Sequence, residues 1–269
     1  MGLCKDPVTT ALNKRGYNLV KLPRVGIDPM DVLGRENDSM EKLGSIAEVW
    51  TSTAPVPPIG APAPVAGVTG EKTSDLDAGI GLKLLADALA GLGAGLSLPS
   101  LNLAFKKAKK VQFTFINVES TSITPFALGK FLANGTLDMS NPFVSHYFGN
   151  DETQEYIIFD VLKSDSISVT AKTETGTTVE ADIGALSGAL KASVTAKAGS
   201  TGASEITFEG KAKATFAFKL FEVTFENGKW VPTGVGADDS LSFGFGDDDA
   251  GAATIQPAMI APGRLLRLR

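Results

Sequence analysis

Residues 205–220 decide the fold class, and they read EITFEGKAKATFAFKL. Apolar or small side chains occupy the even positions from Ile206 to Leu220, and polar or charged side chains occupy the odd positions except at Ala217. A period of two is typical of a β-strand with one buried and one solvated face. The phase of the alternation changes at Leu220-Phe221, where we expect a bulge or a bend.

The same alternation occurs upstream of this strand, in residues 166–172 and 190–198. It fits a half-buried antiparallel sheet, and it also fits membrane-crossing β-strands, which need about 9–11 residues each. The apolar face between residues 184 and 214 consists mostly of Ala, Gly and Val, which fill a core poorly. Residues 174–190 fit both a poor helix and a strand hairpin. The alternation alone favours the soluble sheet, and these two details narrow the difference between the two interpretations. The ambivalence of residues 174–190 is expected of a segment that is soluble in one state and inserted in another.

Two helices are predicted from the spacing of apolar residues. The first is amphipathic and covers residues 75–92, with Ser74 or Asp75 as its N-cap. The second is shorter and covers residues 125–133.

Two further strands are predicted between and after these helices. Residues 96–105 alternate between apolar and polar side chains and are interrupted by Pro99. Residues 156–162 are apolar on both faces apart from Asp160, which is typical of a central strand covered on both sides.

The side chains that carry most enzyme chemistry are scarce. His146 is the one histidine among 269 residues, and Cys4 is the one cysteine. A catalytic triad would have to use His146, no serine stands in a nucleophile elbow, and a zinc site needs three or four His or Cys ligands. We therefore predict that the protein is not an enzyme and holds no metal ion or dissociable cofactor. We interpret His146 as a partly buried loop side chain with a structural hydrogen bond.

Charge and hydropathy bear on partners and location. The formal net charge is -5, from 25 basic and 30 acidic side chains, and gives no reason to expect nucleic acid as a partner. No stretch approaches about 20 apolar residues, and the first residues lack the apolar run of a secretory signal. We expect the protein to be made and kept in the cytosol.

A cluster of lysines lies between the predicted strand at residues 96–105 and a further strand predicted at residues 111–118, at Lys106, Lys107, Lys109 and Lys110. Such a cluster is either a solvated turn or a contact with anionic lipid headgroups, where each lysine contributes about 1 kcal/mol near the surface.

The C-terminal region combines an acidic linker with an apolar tail. Residues 247–256 begin with three aspartates and have the composition of a flexible linker. The apolar residues that follow could each supply about 1.5–3 kcal/mol on burial, before ordering costs: Ile255, Met259, Ile260, Leu265, Leu266 and Leu268. The tail is either a terminal segment that closes the core or a detachable inhibitor on a protease-sensitive tether.

The N-terminal residues bear on the choice between these interpretations. Met1-Gly2-Leu3-Cys4 and the segment Gly16-Tyr17-Asn18-Leu19-Val20-Lys21-Leu22-Pro23-Arg24 resemble the start of bacterial gasdermins. The length of the chain, the early cysteine and the short tail are similar as well. The resemblance implies an α+β fold, with a twisted, mainly antiparallel sheet, peripheral helices and an inhibitory C-terminal peptide packed on the body.

The resemblance also implies three functional regions along the chain. Residues 1–246 would form the pore-forming body, residues 247–256 a cleavable linker and residues 257–269 the inhibitory tail. A caspase-like or trypsin-like protease would cut the monomeric precursor, whose body would oligomerise in the cell inner membrane. β-Hairpins, for which about 54–110 and about 164–220 are the candidate regions, would insert as a large pore that kills the cell during phage infection.

We place the cleavage region at the start of the linker, in Gly246, Asp247, Asp248, Asp249, Ala250 and Gly251. No lysine or arginine lies between Lys229 and Arg264, which disfavours a trypsin-like cut there. A cut after one of the aspartates, or after a small or apolar residue nearby, fits the sequence.

Cys4 has two interpretations. From the residues alone it is an unmodified structural thiol. The resemblance implies instead a self-catalysed palmitoyl thioester in an acylated segment 1–24. One acyl chain anchors weakly, at about 10⁴ M⁻¹ for myristoyl, so in the closed state we expect it in an apolar pocket. The alternative to a pore-forming protein is a cytosolic β-rich binding module for a small apolar ligand.

Overall fold

Strands and short helices alternate along the chain, and most of the strands join one large, curled, mainly antiparallel sheet. The computed structural model describes residues 12–36, 39–65, 68, 73, 75–149, 153–187, 190, 194–199, 202–231, 258–260, 265–266 and 268. Within these ranges the strands are Asn18–Arg24 (β1), Asp31–Glu36 (β2), Ser39–Ser45 (β3), Trp50–Ser52 (β4), Ala63–Pro64 (β5), Leu76–Asp77 (β6), Lys110–Ile116 (β7), Glu119–Ser122 (β8), Gly135–Leu137 (β9), Gln154–Lys172 (β10), Val194–Gly199 (β11), Gly202–Glu226 (β12), Lys229–Val231 (β13) and Leu265–Leu266 (β14).

The helices in the described ranges are Ile46–Val49 (α1), Ala78–Gly91 (α2), Leu98–Ala104 (α3), Pro125–Ala133 (α4), Pro142–Phe148 (α5) and Ile183–Ser187 (α6). None of them combines the length and apolar character needed to cross a bilayer. The predicted α+β fold is confirmed, and so is the predicted helix that became α4.

β10 and β12 form the centre of the main sheet. The main path of the sheet runs β14-β1-β12-β10-β2-β3, and every neighbouring pair on it is antiparallel except β14 with β1. β10 is buried without interruption from Glu155 to Leu162. This continuous burial confirms the central strand that the sequence predicts.

The two faces of β10 and β12 pack against different parts of the molecule. Ile157 and Phe221 lie on a face covered by helices α1, α4 and α5. Ile158 and Leu220 lie on the other face, in a group that we call the inner cluster. Its members are Val20, Ile27, Leu33, Met40, Tyr156, Ile158, Val161, Phe218, Leu220 and Leu268, with Ala258 and Ile260 packed against it.

The predicted irregularity at Leu220-Phe221 is present, but the extra residue belongs to the neighbouring strand. Ile158 pairs with Leu220 and Asp160 pairs with Lys219, so Phe159 of β10 is the bulged residue. The Phe159 and Phe221 rings stack with centroids 4.1 Å apart. The phase of the sequence pattern changes because both faces of β12 become buried here.

Helix α2 packs on the face of the sheet that is rich in small side chains. Leu82, Leu85 and Leu89 of α2 share one buried cluster with Val169 of β10 and Phe208 of β12. The helix therefore supplies the volume that the alanines, glycines and valines of β11 and β12 lack.

Two predictions near α2 and α3 are wrong in detail. α2 is capped by the Asp77 side chain, which accepts hydrogen bonds from the Gly79 and Ile80 N–H groups, because Leu76 and Asp77 pair with β7. Residues 98–104 form a helix where a strand is predicted. Ser97 caps this helix, and Pro99 occupies its first turn, where the missing N–H group costs nothing.

Glycine 91 allows α2 to approach β1 closely. A Cβ atom on Gly91 would lie 1.8 Å from the carbonyl oxygen of Pro23, whereas a Cβ atom on Gly129 in α4 would meet nothing within 4 Å. We predict that Gly91→Ala destabilises the protein by about 1–3 kcal/mol through overpacking. Gly129→Ala should stabilise it by about 0.5–1 kcal/mol. Urea unfolding of both variants checks this, and equal effects would contradict the contact between α2 and β1.

Candidate functional site

The candidate site is the place where the chain end docks on β1. A helical turn ends at Gly16, whose φ of 78° suits glycine, and the chain then enters β1. β1 pairs with β12 along one edge, and β14 pairs with it in parallel, with Leu19 opposite Leu265 and Val20 opposite Leu266. The chain end therefore adds a strand to the sheet.

The Asn18 side chain holds the chain end in register. Its amide donates a hydrogen bond to the carbonyl oxygen of Ala258 at 2.9 Å, and its oxygen accepts one from the Ile260 N–H at 3.0 Å. Asn18 is only 2% exposed. The Ala258 N–H also donates to the Leu220 carbonyl oxygen at 2.9 Å. In these three hydrogen bonds the tail contributes main-chain groups and no side chain.

The chain end also contacts the opposite edge of the sheet. Leu268 forms a parallel bridge to Met40 of β3, and the Arg24 guanidinium donates to the Leu268 carbonyl oxygen at 2.9 Å. The Leu268 side chain is 2% exposed within the inner cluster. The same short segment thus joins β1 to β3, the strand at the other end of the main path.

The structure shows where most of the predicted tail residues lie, and their inhibitory role stays a prediction. Leu268 is buried, Ile260 packs against the inner cluster, and Met259 is half-buried. Leu265 and Leu266 pair with β1 through their main chains. Ile255 lies outside the described residues. The tail residues that the structure describes are docked on the sheet.

A buried ionic network anchors the start of β1 to the rest of the sheet. The Tyr17 hydroxyl donates to Asp160 at 2.6 Å, and the Ser120 hydroxyl donates to the same carboxylate at 2.7 Å. The Lys219 ammonium lies 3.6 Å from Asp160 and 4.4 Å from the centre of the Tyr17 ring. Burial raises the pKa of the Tyr17 phenol, and the hydrogen bond to Asp160 raises it further. The network therefore keeps Tyr17 as a neutral donor.

The lysine cluster follows α3 rather than joining two strands. Lys106, Lys107 and Lys109 are exposed in the turn, and Lys110 begins β7. The Lys110 ammonium donates to the Glu174 carbonyl oxygen at 3.0 Å. Three of the four predicted lipid-contacting lysines therefore present their side chains to solvent.

The remaining predicted residues carry little structural information. Cys4 and the cleavage region Gly246, Asp247, Asp248, Asp249, Ala250 and Gly251 lie outside the described residues. In the part of the chain that the structure does describe, no three His, Cys, Asp or Glu side chains are grouped as metal ligands.

The predicted environment of His146 is wrong. His146 lies on helix α5 and is exposed, with its ring edge-on to that of Tyr147 at 5.1 Å. The helix begins at Asn141, whose side chain caps it, and continues with Pro142 in the first turn. This start signal overrides the loop interpretation.

Substitution of Asn18 by aspartate should loosen the tail in a pH-dependent way. An ionised carboxylate can still accept from the Ile260 N–H, but it repels the Ala258 carbonyl oxygen and is costly to bury. Below its raised pKa, the protonated carboxyl can donate again. We predict that Asn18→Asp lowers the amide-exchange protection of residues 258–268 near neutral pH and recovers it in acid, whereas Asn18→Ala loses it at every pH.

The expected loss for Asn18→Ala is about 1–3 kcal/mol, or about 5- to 150-fold in protection. Hydrogen exchange of the intact chain by mass spectrometry, corrected for intrinsic rates, measures it. Asn134→Asp is the matched control, because the Asn134 amide bonds to the Lys130 carbonyl oxygen at the surface of α4. A pH-independent effect of Asn18→Asp would contradict the proposed contact.

Comparison with known proteins identifies a family and relatives to which this chain is similar. The family model described as the Bacterial Gasdermin Family matches residues 20–231. "Gasdermin bGSDM" of Vitiosangium sp. is 35% identical over 231 residues, which cover 85% of each chain. "Gasdermin bGSDM" of a Desulfuromonadales bacterium is 28% identical over 98% of each chain. The solved structure of a bacterial gasdermin from Bradyrhizobium tropiciagri matches with a TM-score of 0.61 at 20% identity, covering 84% of this chain and 90% of that one.

Proposed function

The chain belongs to the bacterial gasdermin family, and on this premise we propose that it is the autoinhibited precursor of a membrane pore. Gasdermins are pore-forming proteins that act in cell death, and they are not enzymes. Proteolytic removal of the C-terminal tail would release residues 1–246, which oligomerise and insert β-hairpins into the inner membrane. The outcome would be death of the cell as a defence against phage.

The double contact of the tail is the observation that carries this proposal. β14 pairs with β1, and Leu268 contacts Met40 of β3, so the tail bridges β1 and β3. Residues 232–257 connect β13 to these contacts and include the acidic linker, and they lie outside the described ranges. A protease that recognises aspartate, such as a caspase-like enzyme, would cut after Asp247, Asp248 or Asp249 and separate the tail from the body.

The inner cluster favours this function over a binding module for a small apolar ligand. The inner face of the sheet is where such a ligand would be sheltered, and the side chains of Ile260 and Leu268 already pack there. On this face of the sheet, the position that a ligand could take is filled by the protein's own tail.

Two features would direct the released body to the membrane. Lys106, Lys107 and Lys109 are exposed next to the half-buried Lys110 and suit anionic headgroups. A palmitoyl group on Cys4 would add an apolar anchor, which together with a basic cluster provides the two signals that stable attachment requires. The candidate hairpin regions, about 54–110 and about 164–220, contain α2, α3 and α6 in the closed state, and these helices would have to rearrange to strands.

Dye release from liposomes tests the proposed function. We insert a protease recognition sequence between residues 246 and 256 and expect release only after cleavage. Leu268→Asp should cause release without cleavage, because an acidic side chain cannot remain buried in the inner cluster.

Val25→Asp is the matched control for this experiment, because Val25 is an exposed apolar residue. It should behave like the unsubstituted chain. The proposal would be abandoned if complete cleavage of the linker produced no leakage from any liposome composition.

Intact mass measurement tests acylation of Cys4. We expect purified full-length protein to carry the mass of one palmitoyl group, which neutral hydroxylamine removes from a thioester. Cys4→Ala should lack the added mass, since Cys4 is the one cysteine in the chain. A native protein with no lipid increment would remove Cys4 from the proposed mechanism.

A further inference from the structure

We propose that residues 76–111 belong to a hairpin whose base is already paired in the closed structure. The register of this base assigns a turn at Gly93-Ala94 and a lipid-facing side that includes Ile80 and Leu103. This inference rests on the proposed function, and it names the residues that would contact lipid in the first candidate hairpin region.

The base of this hairpin is the antiparallel pair of β6 and β7. Leu76 lies opposite Val111, and the two side chains share one apolar cluster. The Ala78 N–H, in the first residue of α2, still donates to the Lys109 carbonyl oxygen at 2.9 Å. Helices α2 and α3 and their connections therefore form the long loop of a hairpin whose first pairs exist.

The register of the base determines where the turn of a completed hairpin would lie. If the ladder continues without a bulge, each step forward in one strand is a step back in the other, and it ends with Leu92 opposite Gly95. This pair has the same hydrogen-bonding parity as Ala78 with Lys109, which is the parity that a two-residue turn requires. The turn would be Gly93-Ala94, and Gly93 already has the positive φ, 79°, that a type II′ turn needs at its first central position.

The sequence of α2 carries the pattern of a strand as well as that of a helix. Every even position from 76 to 92 is apolar: Leu76, Ala78, Ile80, Leu82, Leu84, Ala86, Ala88, Ala90 and Leu92. The odd positions from 77 to 91 hold two aspartates, one lysine, three glycines and two leucines. These two leucines, Leu85 and Leu89, are residues that the helix buries. The segment can therefore bury one face as a helix and a different face as a strand.

Two large apolar side chains that the closed structure leaves in solvent would find a place on the apolar side of this hairpin. Ile80 of α2 is 57% exposed and Leu103 of α3 is 60% exposed. In the register of the base, Leu103 lies opposite Leu84, and Ile80 lies on the same side as both. Val111 of β7 continues that side toward the base. Side chains that face water in the closed state would thus face lipid in the open one.

Pro99 would leave one hydrogen bond of the ladder unmade, because it has no N–H group to offer to Ala88. Pro99 lies close to the turn. A strand from Ala78 to Leu92 is longer than the about 9–11 residues that cross a bilayer, so the end that carries the turn can extend beyond the hydrocarbon.

Paired substitutions at exposed positions test the assignment of the two sides. In the full-length chain with a cleavable linker, Leu103→Asp is compared with Asn102→Asp, and Ile80→Asp with Lys83→Asp. All four side chains are exposed in the closed structure, so urea unfolding curves should show that each variant folds. After cleavage on liposomes, Leu103→Asp and Ile80→Asp should each lower the initial rate of dye release about tenfold or more, because they place a carboxylate against lipid. The two controls should release dye like the unsubstituted chain.

The outcomes separate this inference from the proposed function. A helix α2 that lay on the bilayer would present Ile80 and Lys83 on one face, since they are three residues apart, and both substitutions would then lower the rate. Dye release that is lowered equally by a substitution and its control, or that is unaffected by either apolar substitution, would overturn the inference while the proposed function stands. If the unsubstituted chain released no dye after cleavage, both would fall together.

Distances between spin labels test the turn. Double electron-electron resonance is measured before and after cleavage on liposomes for two doubly substituted chains, Ile80→Cys with Ala90→Cys and Ala90→Cys with Ser97→Cys. Each is diluted with unlabelled chain, and singly substituted chains report any signal from Cys4. The first distance should lengthen from about 15 Å in a helix to about 33 Å in a strand. The second should stay short, because Ala90 and Ser97 would lie opposite each other. Lengthening of both distances, or of neither, would overturn the turn at Gly93-Ala94.

Discussion

The parallel pairing of the chain end with β1 is the contact on which the closed structure depends. It consists mostly of hydrogen bonds to the main chain of the tail: the β14 ladder, the two hydrogen bonds of the Asn18 side chain and the bond from the Arg24 side chain to Leu268. Hydrogen bonds of this kind contribute about 0.5–1.5 kcal/mol each on balance. Burial of Ile260 and Leu268 adds to them. If the tail is the inhibitor that we propose, the bias toward the closed state is a sum of small contributions. A switch that must open would benefit from such a sum, because a much stronger contact would survive the loss of the tether.

Tethering explains how a cut in the linker could release contacts to which the linker itself does not belong. A flexible linker holds its two ends at an effective concentration of about millimolar, so a weak contact stays formed while the chain is intact. A cut in the linker alters no hydrogen bond of Asn18 or Arg24, yet it turns docking into a bimolecular event. The tail is then lost by dilution if its dissociation constant for β1 and β3 exceeds the concentration of free tail in solution.

Much of this arrangement is visible in the sequence, and the rest is not, for physical reasons. The strand that became β12 follows from alternation, and the docked tail follows from its apolar residues. The role of Asn18 leaves no pattern, because a single amide in an alternating strand looks like any solvated position. The helix at residues 98–104 was hidden because its leucines also fit a period of two, and Ser97 with Pro99 is the signal that could have revealed it. The small side chains facing α2 predict a poorly filled core. The leucines of α2 that fill this core are distant in sequence, so their contact with these side chains leaves no local pattern.

β1 remains part of the sheet whether or not the tail is present, and this decides what release of the tail can expose. Tyr17, directly before Asn18, bonds to Asp160 of β10, and the ammonium of Lys219 on β12 lies beside both groups. None of these contacts involves the tail. Gly91 of α2 packs on the main chain of Pro23 from another side. Because β1 is held by these independent contacts, loss of the tail would leave it in place as an edge strand with uncovered hydrogen-bonding groups. An edge that stays ordered can receive a strand again at once, whereas a strand that unfolded on release would first have to be ordered again at an entropic cost.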